Sequence, residues 1–89
     1  MAERIYYMDS RYFIYGLLDC PFCVKAIEEL SERGLECCFF DLADDEDFLV
    51  DTKSFYNHKT VPIILRNNKE TGHTKLIGGC DDLLELLSD

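Results

Sequence analysis

Residues 11–42 read RYFIYGLLDCPFCVKAIEELSERGLECCFFDL, and this stretch decides the fold. Its first six residues mix β-branched and aromatic side chains and stop at Gly16, which predicts a strand. A helical period follows: Val24, Ile27 and Leu30 fall on one face, and Lys25, Glu28, Glu29 and Glu32 on the other. Gly34 suits the helix C-cap. LECCFFDL is almost continuously apolar, which predicts an interior strand. Strand, helix and strand within ~30 residues make a βαβ unit with a parallel pair. At the seam of the first strand and the helix stand Cys20 and Cys23, with Pro21 and Phe22 between them.

Outward from this unit the pattern continues to the C-terminus. DDEDFLVDTKSFYN predicts a second helix, with acidic residues in the first turn, where the macrodipole favours them. Phe48, Leu49, Thr52, Phe55 and Tyr56 form its apolar stripe. VPIIL and TKLIGG predict two more strands, and the turn formers of RNNKETGH between them predict an antiparallel hairpin. CDDLLELLSD predicts a final helix, capped by Asp81 or Asp82 and buried through Leu83, Leu84, Leu86 and Leu87. The expected fold is α/β: a mixed four-stranded sheet packed by three helices, in the order β-α-β-α-β-β-α. Residues 1–11 are mixed and polar, either a loose extension or an addition to the first strand.

The 89 residues leave room for one domain, and 47% apolar composition provides a core for it. No apolar run approaches the ~18 residues of a membrane span, so no membrane partner is expected. MAERIYYMDSRYF has no basic region followed by an apolar one, so the expected location is cytoplasmic. Five cysteines, an odd number, do not suit a disulfide-stapled secreted scaffold. The net charge of −9 repels phosphates and excludes nucleic acid as a main partner. The acidity reads as a solvated surface or as steering toward a basic partner protein.

The cysteine pair carries the chemistry. Cys20 is predicted just past a strand end and Cys23 in the first helical turn. Unpaired backbone N–H groups and the positive helix end favour a thiolate at Cys20, and the thiolate is the nucleophile. Pro21 suits the first helical position, where a missing N–H costs nothing. Cys20 is therefore assigned attack and Cys23 resolution. Asp19 raises the Cys20 pKa, and the helix terminus, helped by Lys25, is expected to outweigh it. Thr60, Val61 and Pro62 open the third strand; a cis bond before Pro62 would turn the Val61 backbone outward for an extended peptide. Gly78 and Gly79 lead into a helix N-terminus, a seat for a carboxylate. Together these features describe a site for a small thiol peptide.

A zinc site is the competing use of the Cys20/Cys23 spacing, and it needs two more ligands. Cys37 and Cys38 are adjacent in a strand and face opposite ways, so they cannot both join the pair, and no metal is expected. One of them is expected to be buried. His58 and His73 read as exposed loop residues, and Cys80 as a small residue chosen for its backbone or as a site of regulatory oxidation.

CPFC, TVP and GGCDDL, in this order and spacing, resemble the motifs of the dithiol glutaredoxins over residues 12–89. The resemblance implies a thioredoxin-like fold, glutathione as cosubstrate and no tightly bound cofactor. It implies that Cys20 attacks protein or glutathione mixed disulfides and that Cys23 resolves protein disulfides. It implies a glutathione site built from Phe22, Lys59, Thr60, Val61, Pro62, Gly79, Cys80 and Asp81. In it Val61 pairs with the glutathione cysteine, the Cys80 N–H and Asp81 hold the γ-glutamyl end, and Lys59 meets the glycine carboxylate. Disulfide-containing proteins are the implied substrates, ribonucleotide reductase being a frequent one in the family, and the protein is expected to act as a monomer. Leu17 stands where many members carry a cation, and Phe22 lacks the hydroxyl of the common tyrosine. Two alternatives stay open: an electron donor reduced by thioredoxin reductase, and a carrier of an iron–sulfur cluster.

Overall fold

The computed structural model describes residues 10–88, and the expectation for residues 1–9 lies outside them. The elements run β1 (Ser10–Gly16), α1 (Pro21–Glu32), β2 (Glu36–Asp41), α2 (Glu46–Phe55), β3 (Ile63–Asn68), β4 (Thr74–Gly78) and α3 (Cys80–Leu87). This is the expected order. Ser10 and Arg11 belong to β1 and not to an extension.

The sheet order is β2-β1-β3-β4. β1 and β2 are parallel, while β1/β3 and β3/β4 are antiparallel. Alternation along β1 sorts the side chains: Tyr12 and Ile14 are fully buried on one face, and Phe13 and Tyr15 are half-buried on the other. The first face carries the core. Tyr12, Ile14 and Ile64 pack beneath Ala26 and Leu30 of α1 and Leu83 and Leu87 of α3. Burial of this apolar set is the main stabilising term.

Four expectations change. Among the described residues β2 is an edge strand, since it pairs with β1 alone. Its apolar run serves side-chain packing on both faces and does not signal two strand neighbours. Cys37 and Phe39 lie half-buried toward the core, and Phe40 stacks on Tyr15. Glu36 is held by Arg11 at 3.8 Å and by Lys69 at 3.3 Å, charges typical of a guarded edge. Because β2 is an edge, neither Cys37 nor Cys38 is fully buried. The stripe on α2 is largely uncovered as well: only Thr52 is buried, while Phe48 and Phe55 are exposed. The N-cap of α3 is Gly79, with Asp82 at the third helical position returning its carboxylate to the Gly79 N–H at 2.9 Å.

Candidate active site

The strand β1 delivers the chain to the helix α1 through residues 17–20. Cys20 is the N-cap of α1, with φ −91° and ψ 117°, and Pro21 takes the first helical position. The Cys20 carbonyl accepts from the N–H groups of Cys23 and Val24, both at 3.1 Å, which starts the helix. No acidic residue sits in the first turn of α1, so its positive end is not neutralised there. Cys23, one turn in, is fully buried.

The two thiols are both free, and their surroundings drive them apart. Partial burial disfavours the Cys20 anion. The Cys23 backbone N–H, the Cys23 thiol and the Phe22 N–H outweigh both that and the Asp19 carboxylate, so the Cys20 pKa falls below its ordinary 9.0. Burial pushes the Cys23 thiol up to about 12, although the Leu17 N–H reaches its sulfur at 3.5 Å. Cys20 itself adds to that rise, through its hydrogen bond and its charge. The assignment of nucleophile and resolving thiol thus has an electrostatic basis. Lys25, however, acts on Cys80 and is not among the groups that shift Cys20.

Gly16 makes room for the buried sulfur. A Cβ built there would lie 2.5 Å from Cys23 Sγ. The close approach of strand and helix therefore requires a residue without a side chain.

Two other segments meet each other, and the second of them ends at Cys80, which interacts with both thiols. The Val61–Pro62 peptide is cis, Pro62 is buried and Val61 is half-buried. The Pro62 carbonyl lies 3.8 Å from the Cβ position of Gly79, so the proline loop touches the start of α3. Gly78 has φ +124°, and any side chain there would strike the Asp82 carboxylate. Cys80, the first residue of α3, is buried close enough to Cys20 and Cys23 for their charges to interact. Burial, then Asp81, holds the Cys80 thiol above its ordinary pKa. As a buried, largely protonated thiol it is a poor nucleophile.

Among the sequence-predicted residues, Phe22, Lys59, Thr60 and Asp81 are exposed, and Gly79 is half-buried. No hydrogen bond or ion pair to another described residue holds the Lys59 or Asp81 head groups. His58 is the residue that sequence reasoning missed. It is half-buried and not an exposed loop residue. Its Nδ1 donates to the Thr60 carbonyl at 2.7 Å, and its ring edge lies 3.7–3.8 Å from the Gly79 Cβ position. It packs between the proline loop and the glycine turn. A polar residue two positions before Thr60 was the available signal. His73 is exposed. Among the described residues, no group of three or more His, Cys, Asp or Glu side chains is placed to hold a metal ion.

This geometry has known counterparts. The glutaredoxin family model matches residues 12–70. Glutaredoxin 1 of Rickettsia conorii is 33% identical over 78 residues, covering 82% of this chain and 68% of its own length. Monothiol glutaredoxin-S11 of Oryza sativa is 32% identical over 77 residues, which cover 83% of this chain but only 14% of that protein. Among solved structures, the buckwheat glutaredoxin–glutathione complex superposes with a TM-score of 0.71 over 94% of this chain and 74% of that one. At 17% identity this likeness speaks for the fold. The paired thiols at a helix start, the cis-proline loop and the glycine turn thus stand on a thioredoxin-like sheet, and the chain belongs to the glutaredoxin family of thiol–disulfide oxidoreductases.

Proposed function

We propose that the chain reduces protein disulfides and glutathione mixed disulfides with glutathione as the electron source. The observation that carries this reading is the split between the two thiols: Cys20 below its ordinary pKa at a helix N-terminus, Cys23 buried and raised to about 12. The Cys20 thiolate attacks one sulfur of the substrate disulfide. That bond breaks, a mixed disulfide with Cys20 forms, and the second sulfur leaves as a thiolate that takes a proton from water. Once Cys20 is tied up, its charge and its hydrogen bond no longer oppose ionisation of Cys23. Cys23 loses its proton, attacks the Cys20 sulfur and releases the second substrate thiol. One glutathione then opens the Cys20–Cys23 disulfide, and a second removes the first from Cys20 as glutathione disulfide. Two electrons pass from two glutathiones to one substrate disulfide.

Glutathione as the cosubstrate is supported by the proline loop beside the glycine turn and by the buckwheat protein of the same fold, whose structure holds glutathione. In this reading Val61 pairs with the tripeptide backbone. The orphan N–H groups in the first turn of α3 seat its γ-glutamyl carboxylate, beside Cys80 and Asp81. Lys59 supplies the cation for the glycine carboxylate. Leu17 supplies no cation beside the thiols, and this favours examining thioredoxin reductase as a second electron source.

The test is a coupled assay on a glutathionylated peptide and on a protein disulfide, with glutathione or thioredoxin reductase as donor. Cys20→Ser is expected to lose both activities. Cys23→Ser is expected to keep the first and lose the second. Turnover driven by thioredoxin reductase but not by glutathione would overturn the reading.

A further inference from the structure

The two faces of the sheet are covered unequally. α1 and α3 close the first face over the core. Among the described residues the second face has only α2 over it: Ile63 and Leu65 of β3, in register with Tyr15 and Phe13, are buried there, but α2 itself buries Thr52 alone. What remains is a connected aromatic surface. Phe40 stacks on Tyr15 at 5.0 Å and also meets Phe13 at 6.2 Å. Tyr15 reaches Phe48 at 6.2 Å and Tyr56 at 6.4 Å, and Tyr56 meets Phe55 edge-on at 4.8 Å. Phe40, Phe48 and Phe55 are 42%, 48% and 79% exposed. Scattered exposed apolar residues need no explanation, but rings in mutual contact form a patch, and such patches mark interaction sites.

Acidic residues flank the rings along the chain, Asp41 directly after Phe40 and Asp44 to Asp47 directly before Phe48. Asp41, Asp44, Asp45, Glu46, Asp47 and Asp51 are all exposed. No ion pair among the described residues engages any of them. Lys53 is the single basic residue of α2. The patch is joined to the redox site along the chain: Tyr15 precedes Gly16, which packs on Cys23, and Tyr56 precedes the segment from His58 to Pro62.

We propose that this aromatic, acid-flanked face docks a basic amphipathic segment of a protein substrate. The inference rests on the oxidoreductase reading and gives its substrate class. Charge selects the occupant. A second copy of a chain of net charge −9 would bring carboxylates against carboxylates, and nucleic acid or an anionic lipid surface would bring phosphates. A segment with lysine or arginine between leucines or phenylalanines satisfies both parts of the surface. Its apolar side chains cover the rings, its cations reach the flanking carboxylates, and a cation over an exposed ring face gains a cation–π contact. Docking there holds the substrate on the sheet whose strand β1 leads into the loop that ends at Cys20.

The experiment measures binding and turnover separately. The probe is a labelled, cysteine-free peptide of alternating lysine pairs and leucine or phenylalanine, beside a glutamate-for-lysine counterpart. Fluorescence anisotropy with the full chain reads affinity without using the thiols. The basic peptide is expected to bind at least ~10-fold more tightly than the acidic one at low salt, with the gap closing near ~0.5 M salt as charges are screened. Phe48→Ser, and separately the double variant Asp44→Lys with Asp47→Lys, are each expected to weaken the basic peptide ~10-fold. The carboxylates of Asp44 and Asp47 hold no hydrogen bond to another described residue; because Asp47 stands in the first turn of α2, circular dichroism of the double variant checks that the helix persists, and where it does not, Phe48→Ser decides. Neither variant is expected to change turnover of a small glutathione mixed disulfide. Equal affinity for the two peptides, no detectable binding, or full affinity in both variants would overturn the docking surface. Selective binding with no turnover of any disulfide would leave the surface standing and overturn the oxidoreductase reading instead.

Discussion

A cysteine is an ordinary residue until its position decides which proton it keeps. Cys20 and Cys23 are three residues apart, yet one is a half-buried helix cap and the other is sealed beneath Gly16. Alkylation with iodoacetamide is expected to modify Cys20 ahead of the exposed Cys38 and to spare Cys23. The Cys20 rate follows its thiolate fraction, so it should rise with pH to a midpoint below 9.0, and mass spectrometry of timed samples reads it. A midpoint at or above 9.0 would contradict the assignment of attack to Cys20. Gly16→Ala tests the packing behind the pair. Its methyl would start 2.5 Å from Cys23 Sγ, so strand and helix must separate. A loss of ~1–3 kcal/mol in urea unfolding is expected, as for overpacking in a core. At this scale the sequence spoke through spacing: CPFC named the two thiols and their roles. It was silent on His58, because a histidine in a loop shows its neighbours only when another part of the chain arrives beside it.

Among the elements, α2 is the one held most by its own local signals. Asp45 accepts the Phe48 N–H at 3.1 Å, Glu46 and Asp47 fill its first turn, and Lys53 stands in its last. Its tertiary anchoring is slight, with Thr52 its only buried residue. Asp45→Ala is therefore expected to cost ~1 kcal/mol and to speed amide exchange in α2 without changing α1 or α3. Hydrogen exchange followed by mass spectrometry distinguishes this local fraying from global loosening. The start of α3 shows the opposite dependence. The sequence offered Asp81 or Asp82 as its cap. The chain uses Gly79 instead, because Gly78 at φ +124° turns it early and Asp82 reaches back to the Gly79 N–H. Cap position depends on how the preceding strand ends, and residue type alone does not report that.

Over the whole molecule, the main core and the proposed docking surface lie on opposite faces of one sheet. Leu83 is fully buried on the first face, packed with Tyr12, Ile14 and Leu30. Leu83→Ala is expected to cost ~2–5 kcal/mol, measured by denaturant unfolding, and to impair the redox site as well, since α3 also carries Gly79 and Cys80 at its start. The second face keeps its rings in view of solvent, with carboxylates flanking them along the chain. The sequence alone determined the succession of seven elements, the parallel βαβ start and the three motifs of the site, because each is written in local periodicity, turn chemistry or spacing. Only the tertiary structure decided that β2 lies at an edge, that α2 leaves its stripe uncovered and that His58 packs against Gly79. The physical reason is that strand order and face coverage follow from pairing between residues far apart in the chain. An apolar run records that a side chain avoids water, not which neighbour shields it.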